Sequence, residues 1–159
     1  MTYPLAFSTW GHEEVDAIKR VIDTDMYTMG KHVKQFEQEF AETFGSPHAV
    51  MVNSGSSANL LMLSLLKWKY KLSGDIIVPV VGWATTYFPI SQNGFRLNFV
   101  DVDPNTWNID VSKIEAAITP ETCAIMPVNL LGNSCDYTRI IELCAEHELK
   151  LIEDNCESM

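Results

Sequence analysis

At 159 residues and 17.9 kDa the chain has room for one domain and little more. A hydrophobic content of 47% and a charged content of 20% are those of an ordinary globule and exclude a disordered chain. Against 11 basic residues stand 21 acidic ones, a net charge of −10 with no Lys/Arg block, so neither a nucleic-acid nor an anionic-membrane partner is expected.

In chain order, two helices come first. Val15, Ile18 and Ile22 recur at helical spacing in Glu13–Asp23, and Val33, Phe36, Phe40 and Phe44 do so in Lys31–Phe44. Gly45 and Pro47 end the second. The pattern then alternates: strand Ala49–Val52, helix Ser57–Leu72, strand Ile76–Pro79, helix Ala84–Gln92, strand Leu97–Val102, helix Val111–Ile118, strand Cys123–Val128, helix Tyr137–His147 and strand Lys150–Glu153. Asp110 can cap the helix after it, and Ser73-Gly74-Asp75 and Gln92-Asn93-Gly94 break helices ahead of strands. Short apolar runs such as Ile76-Ile77-Val78 suit a parallel sheet covered on both faces. The expected fold is α/β, three layers in α/β/α order around a mostly parallel sheet. The longest strongly apolar stretch, Leu60 to Leu66, is too short to span a bilayer, and the N-terminus has no basic-then-apolar signal pattern.

Cys123, Cys135, Cys144 and Cys156 are spaced by 12, 9 and 12 residues, and His12, His32, His48 and His147 form no close ligand pair with them. No metal site is expected, and widely spaced thiols without a signal segment fit reduced cysteines in the cytoplasm.

In a parallel sheet, ligands sit beyond the carboxyl ends of the strands, which selects the loops to inspect. After the first predicted strand comes Asn53-Ser54-Gly55-Ser56-Ser57-Ala58-Asn59, running straight into a helix. Gly55 permits a close turn, Ser56 and Ser57 offer hydroxyls, and the free amides of a helix N-terminus attract an anion. This loop carries neither the nucleoside-triphosphate nor the dinucleotide fingerprint, and Ser56 acting only as a helix cap is the plain alternative. Trp83, after the second strand, offers a flat face to an aromatic ligand or else a core tryptophan. Glu153 and Asp154 put carboxylates at the end of the last strand, where one could pair with a protonated heterocyclic nitrogen or simply stay solvated. A phosphate cradle, a stacking face and a carboxylate at one sheet edge are what pyridoxal 5′-phosphate requires.

Ser54-Gly55-Ser56-Ser57-Ala58-Asn59-Leu60, Phe99-Val100-Asp101-Val102-Asp103, Asn108-Ile109-Asp110 and Ile152-Glu153-Asp154 resemble the sugar aminotransferase superfamily of fold-type I pyridoxal-phosphate enzymes, over essentially the whole chain. Further segments resemble its deoxygenating, 3-dehydratase branch: Tyr3-Pro4-Leu5-Ala6 with Ser8-Thr9-Trp10, Tyr27-Thr28-Met29-Gly30, Thr85-Thr86-Tyr87, Asn129 to Asn133, and Glu153 to Met159. Aminotransferases of the superfamily usually carry Phe or Tyr at Trp83, His at Asn129 and Gln at Glu157, so the chain departs from them at three places.

The resemblance implies that Gly55, Ser56 and Ser57 hold the cofactor phosphate, that Trp83 stacks on the pyridine ring, that Asp154 keeps the ring nitrogen protonated and that Glu157 lies near the ring's polar edge. It implies pyridoxamine 5′-phosphate as the working form, glutamate as amino donor, and loss of the C3 hydroxyl from a nucleotide-linked 4-keto-6-deoxy sugar for O-antigen and lipopolysaccharide synthesis. A homodimer is expected of the full-length protein. Residues 1–159 are expected to be the N-terminal portion of the large cofactor-binding domain, with the rest of that domain and a C-terminal small domain absent. No catalytic residue is then expected in the chain, because the family's Schiff-base lysine, or a histidine in its place, would fall beyond Met159. Two other readings stay open: a nucleotide-sugar aminotransferase of the same family, and an inactive truncated cofactor-binding fragment.

Overall fold

The structure, a computed structural model, describes residues 7–158. The Tyr3-Pro4-Leu5-Ala6 motif and Met159 lie outside the described residues. Two compact units, 1–51 and 52–159, divide the chain.

The first unit contains α1 (His12–Ile22) and α2 (Lys31–Thr43). Glu14 reaches back to accept from the Gly11 amide at 2.6 Å, closing the start of α1. Along α2, Phe36, Phe40 and Phe44 stack successively with centroids 5.5 and 4.5 Å apart, as i, i+4 spacing dictates. α1 buries none of its residues, and α2 buries only Ala41.

The strand expected at Ala49–Val52 does not form. A strand exists only through a ladder, and this segment has no ladder partner among the described residues. Val50 is 76% exposed, and the Met51 amide donates to the Glu37 carboxylate at 2.8 Å.

In the second unit, α3 (Gly55–Trp68), β1 (Asp75–Pro79), α4 (Ala84–Gln92), β2 (Arg96–Val100), α5 (Val111–Ala117), β3 (Thr122–Ile125), α6 (Tyr137–Glu146) and β4 (Lys150–Leu151) follow in order, with a 3-10 turn at Leu130–Gly132. The strands form one parallel sheet in the order β2-β1-β3-β4. Alternation along β1 and β3 serves two cores. Ile77 and Ile125 face a cluster completed by Ile114 of α5 and by Ile140 and Leu143 of α6. Ile76, Val78 and Ala124 face the opposite cluster, with Leu63 and Leu66 of α3 and Ile90 of α4. Helices therefore cover both sheet faces, the three-layer α/β/α arrangement expected from the sequence.

Several boundaries differ from expectation, each for a local reason. β2 ends at Val100 because Val102 turns away to bridge Ile109, with Asp103 N–H donating to the Asn108 carbonyl at 2.9 Å. The β3–β4 ladder ends at Ile125 and Leu151 but resumes in register: Ile152 donates to Ile125 O at 3.1 Å, Asp154 to Pro127 O at 3.1 Å, and Asn129 to Asp154 O at 3.2 Å. The missing rung is the one Pro127 would donate, since proline has no N–H. Finally, α3 runs from Gly55 to Trp68 rather than from Ser57 to Leu72: Ser54 caps its start, and Lys71 beyond its end takes a positive φ of 58°.

The turn into β1 depends on Gly74. Its φ of +109° lies in the region that favours glycine, and a Cβ there would run into the Glu121 carbonyl. That carbonyl accepts from the Asp75 amide at 2.9 Å, starting the pairing of β1 with β3. No helix among the described residues is long and apolar enough to cross a membrane.

Candidate active site

A cavity of about 420 Å³ opens at the carboxyl ends of the strands. Its wall includes Gly55, Ser56, Trp83, Asp154 and Glu157, five of the six residues singled out in the sequence. The sixth, Ser57, faces the neighbouring groove between α3 and α4.

The cradle is built by the start of α3. Ser54, in extended conformation, caps the helix, its hydroxyl accepting from Ser57 N–H at 3.2 Å. Capping therefore falls to Ser54, not to Ser56. Ser57 is turned to Ser54 as well, the two hydroxyls 3.2 Å apart. The Ala58 amide donates to the Ser54 carbonyl, which leaves the Gly55 and Ser56 amides without an acceptor among the described residues. Two free amides stand at the positive end of a 14-residue helix, beside an exposed hydroxyl, an arrangement that favours an anion. No Lys or Arg lines the cavity among the described residues, so the local dipole has to act against the overall negative charge.

Trp83 stands at the N-cap of α4 and is 76% exposed, which removes the core-tryptophan alternative and presents its indole to the cavity. Beneath it, the Gly82 Cα leaves the space taken by the Tyr87 hydroxyl, which donates to the Pro79 carbonyl at 2.8 Å. Burial raises the Tyr87 phenol above its ordinary range, and the negative charge of Asp154 adds to the shift.

Asp154 is only 7% exposed, which removes the solvated-carboxylate alternative for this residue; Glu153 beside it is exposed. Asp154 forms no ion pair among the described residues. Its Oδ2 accepts from Asn59 Nδ2 at 2.9 Å and from Thr86 Oγ1 at 2.7 Å, and its Oδ1 from the Cys156 amide at 3.2 Å. A carboxylate offers about four acceptor positions. Three are taken, and one on Oδ1 is left.

Glu157 accepts from the Leu131 amide at 2.6 Å and so ties down the turn that carries Leu130 into the cavity wall. Asn129 does not line the cavity. It is buried and braces the last strand: its Oδ1 accepts from the Cys135 amide at 2.9 Å and the Tyr137 hydroxyl at 3.0 Å, and its Nδ2 donates to Asn155. Burial pushes the Tyr137 phenol up, and the nearby Glu153 charge pushes it further.

Asn59 and Thr86 fall inside the motifs quoted from the sequence but received no role there, because they sit inside helices and read as core positions. One signal was present: Asn59, Leu63 and Leu66 share a single face of α3, and a lone amide in an apolar stripe calls for a buried polar partner.

Parallel strands, helices on both faces and a ligand-sized cavity at the carboxyl edge define an α/β protein of the doubly wound class. The chain belongs to the DegT/DnrJ/EryC1/StrS aminotransferase family, whose model matches residues 9–159. It is 51% identical over 163 residues to the GDP-4-keto-6-deoxy-D-mannose 3-dehydratase of Yersinia pseudotuberculosis, covering 100% of this chain and 42% of that protein. The structure of the Escherichia coli GDP-4-keto-6-deoxy-D-mannose 3-dehydratase with bound hydrated pyridoxal phosphate superposes with a TM-score of 0.93 at 51% identity, covering 99% of this chain and 42% of that one. A crystal structure of GDP-4-keto-6-deoxymannose 3-dehydratase with a trapped pyridoxal phosphate–glutamate geminal diamine gives the same TM-score, 0.93, at 51% identity and the same coverage, 99% and 42%. The chain thus spans about two-fifths of the length of these relatives.

Proposed function

We propose that the cavity binds pyridoxal 5′-phosphate, and that the chain is the N-terminal portion of the large cofactor-binding domain of an enzyme that removes the C3 hydroxyl of a nucleotide-linked 4-keto-6-deoxy sugar. Such a product serves O-antigen and lipopolysaccharide synthesis. One observation carries the reading: free first-turn amides, an exposed indole and a buried carboxylate with one open acceptor position converge on a single cavity.

Gly55 and Ser56 would hold the phosphate through their amides and the Ser56 hydroxyl, with Ser57 fixed behind them by its bonds to Ser54. Trp83 would cover one ring face. The open position on Asp154 Oδ1 would take the ring N–H. Glu157 would lie at the ring's polar edge while keeping the Leu130 turn closed. When bound, the cofactor and its amine form, pyridoxamine 5′-phosphate, supply an electron sink and a transferable amino group.

Support for the substrate class comes from the 51% identity to two GDP-4-keto-6-deoxy-D-mannose 3-dehydratases and from the departures at Trp83, Asn129 and Glu157. Glutamate serves as the amino donor in this reading, and the full-length protein is a cytoplasmic homodimer.

The test is a spectroscopic titration of the full-length protein with pyridoxal phosphate, followed by assay with glutamate and GDP-4-keto-6-deoxymannose. Saturable binding and release of ammonia, 2-oxoglutarate and a 3-deoxy sugar are expected. Failure to bind the cofactor overturns the reading, and an amino sugar as product makes the protein a transaminase of the same family.

A further inference from the structure

We propose that Asn59 and Thr86 are positioning residues that fix which oxygen of Asp154 is turned toward a bound pyridine ring. The proposal rests on the pyridoxal phosphate reading above and extends it to two side chains that do not themselves hold the ligand in that reading.

Oδ2 of Asp154 accepts a hydrogen bond from each of them, at 2.9 and 2.7 Å. With both acceptor positions of Oδ2 filled, the only one left on the carboxylate belongs to Oδ1. The two donors therefore choose which oxygen meets an incoming N–H. No cation among the described residues pairs with Asp154, so these two donors are its side-chain partners. The neighbouring titratable groups do not substitute for them. The Tyr87 hydroxyl is spent on Pro79, Glu157 is committed to Leu131, Glu153 is exposed, and Cys156 contributes its amide to Oδ1.

Each donor is itself held in place. Thr86 is 1% exposed, and its amide donates to the Trp83 carbonyl at 3.0 Å, in the first turn of α4. Asn59 is oriented by a fault in the same helix. Pro89 lies inside α4 and has no N–H to give to the carbonyl four residues back, that of Thr85. Asn59 Nδ2 donates to that Thr85 carbonyl at 3.3 Å as well as to Asp154. Its amide nitrogen, not its oxygen, must therefore face the carboxylate. Asn59 sits one turn beyond Gly55 on α3, and Thr86 sits three residues beyond Trp83 on α4. One carboxylate oxygen thereby sets the phosphate cradle, the stacking face and the ring-nitrogen partner in register.

Thr86→Val keeps shape and branching and removes one donor; Asn59→Leu removes the other. The full-length protein is loaded with pyridoxal phosphate labelled with ¹⁵N in the ring, and its ¹⁵N chemical shift and dissociation constant are measured, with thermal melting as the check on folding. Wild type is expected to show a protonated ring nitrogen. Each variant should weaken cofactor binding about tenfold, the scale of one hydrogen bond to a charged group. Each should also move the ¹⁵N shift toward neutral pyridine, because a carboxylate that has lost a donor holds the shared proton more tightly. Thr86→Ser, which keeps the hydroxyl, should restore both values. If wild type binds and both variants match it in shift and affinity, the positioning role is wrong and the cofactor reading stands. If wild type does not bind pyridoxal phosphate, both fall.

Discussion

In α1, Val15, Ile18 and Ile22 recur at helical spacing and all three stay exposed; in α6, Ile140, Leu143 and Cys144 recur in the same way and all three are buried. The local signals of the two helices are equally good. What separates them is whether a neighbouring layer covers the apolar side, and only removal from water yields the hydrophobic term. Periodicity thus reports that a helix has an apolar face and says nothing about its cover. Buried apolar clusters lie on both faces of the sheet in residues 52–158, whereas α1 buries no residue and α2 only Ala41.

Five substitutions test this contrast, from the largest effect down. Ile77→Ala, at a site without exposed surface, should cost about 2–5 kcal/mol in urea unfolding, whereas Ile18→Ala in α1 should change stability by less than about 0.5 kcal/mol. Equal costs would break the comparison. Gly74→Ala should destabilise by about 1–3 kcal/mol, since the new Cβ meets the Glu121 carbonyl and the backbone is held at positive φ; a neutral result would mean the turn relaxes freely. Ser54→Ala should cost about 1 kcal/mol through loss of the α3 cap, measured by the same unfolding curves. Trp83→Ala should leave the melting temperature nearly unchanged, within about 0.5 kcal/mol, while weakening pyridoxal phosphate binding in the full-length protein. A large loss of stability there would turn the indole back into a packing residue.

All six helices and the four strands that form were legible in the sequence, because each rests on local periodicity and local breakers such as Gly74 and Gly94. The strand at Ala49–Val52 was not, because a strand is a relation between two segments and its apolar residues carry no record of the partner. The two-residue shift at the start of α3 came from reading Ser56 and Ser57 as the cap region, when three serines flank Gly55 and the extended backbone at Ser54 decides among them. At the site, five residues of the cavity wall were visible in advance, because strand-end loops can be located from the element pattern. The residues that hold those residues were hidden. Asn59 and Thr86 act across separations of 95 and 68 positions from Asp154, and nothing local marks such a pairing.

Pro89 gives the helical layer an unusual coupling between robustness and precision. A proline inside a helix is the sort of position where an engineer seeking a tougher protein would place alanine, gaining about 3 kcal/mol of intrinsic propensity. Here the restored amide would compete for the Thr85 carbonyl, and Asn59 would lose one of the two contacts that orient its side-chain amide. A flipped amide would point oxygen against oxygen at Asp154. The imperfection in α4 therefore acts as an orientation lock for a side chain on another helix, and repairing the helix would unlock it.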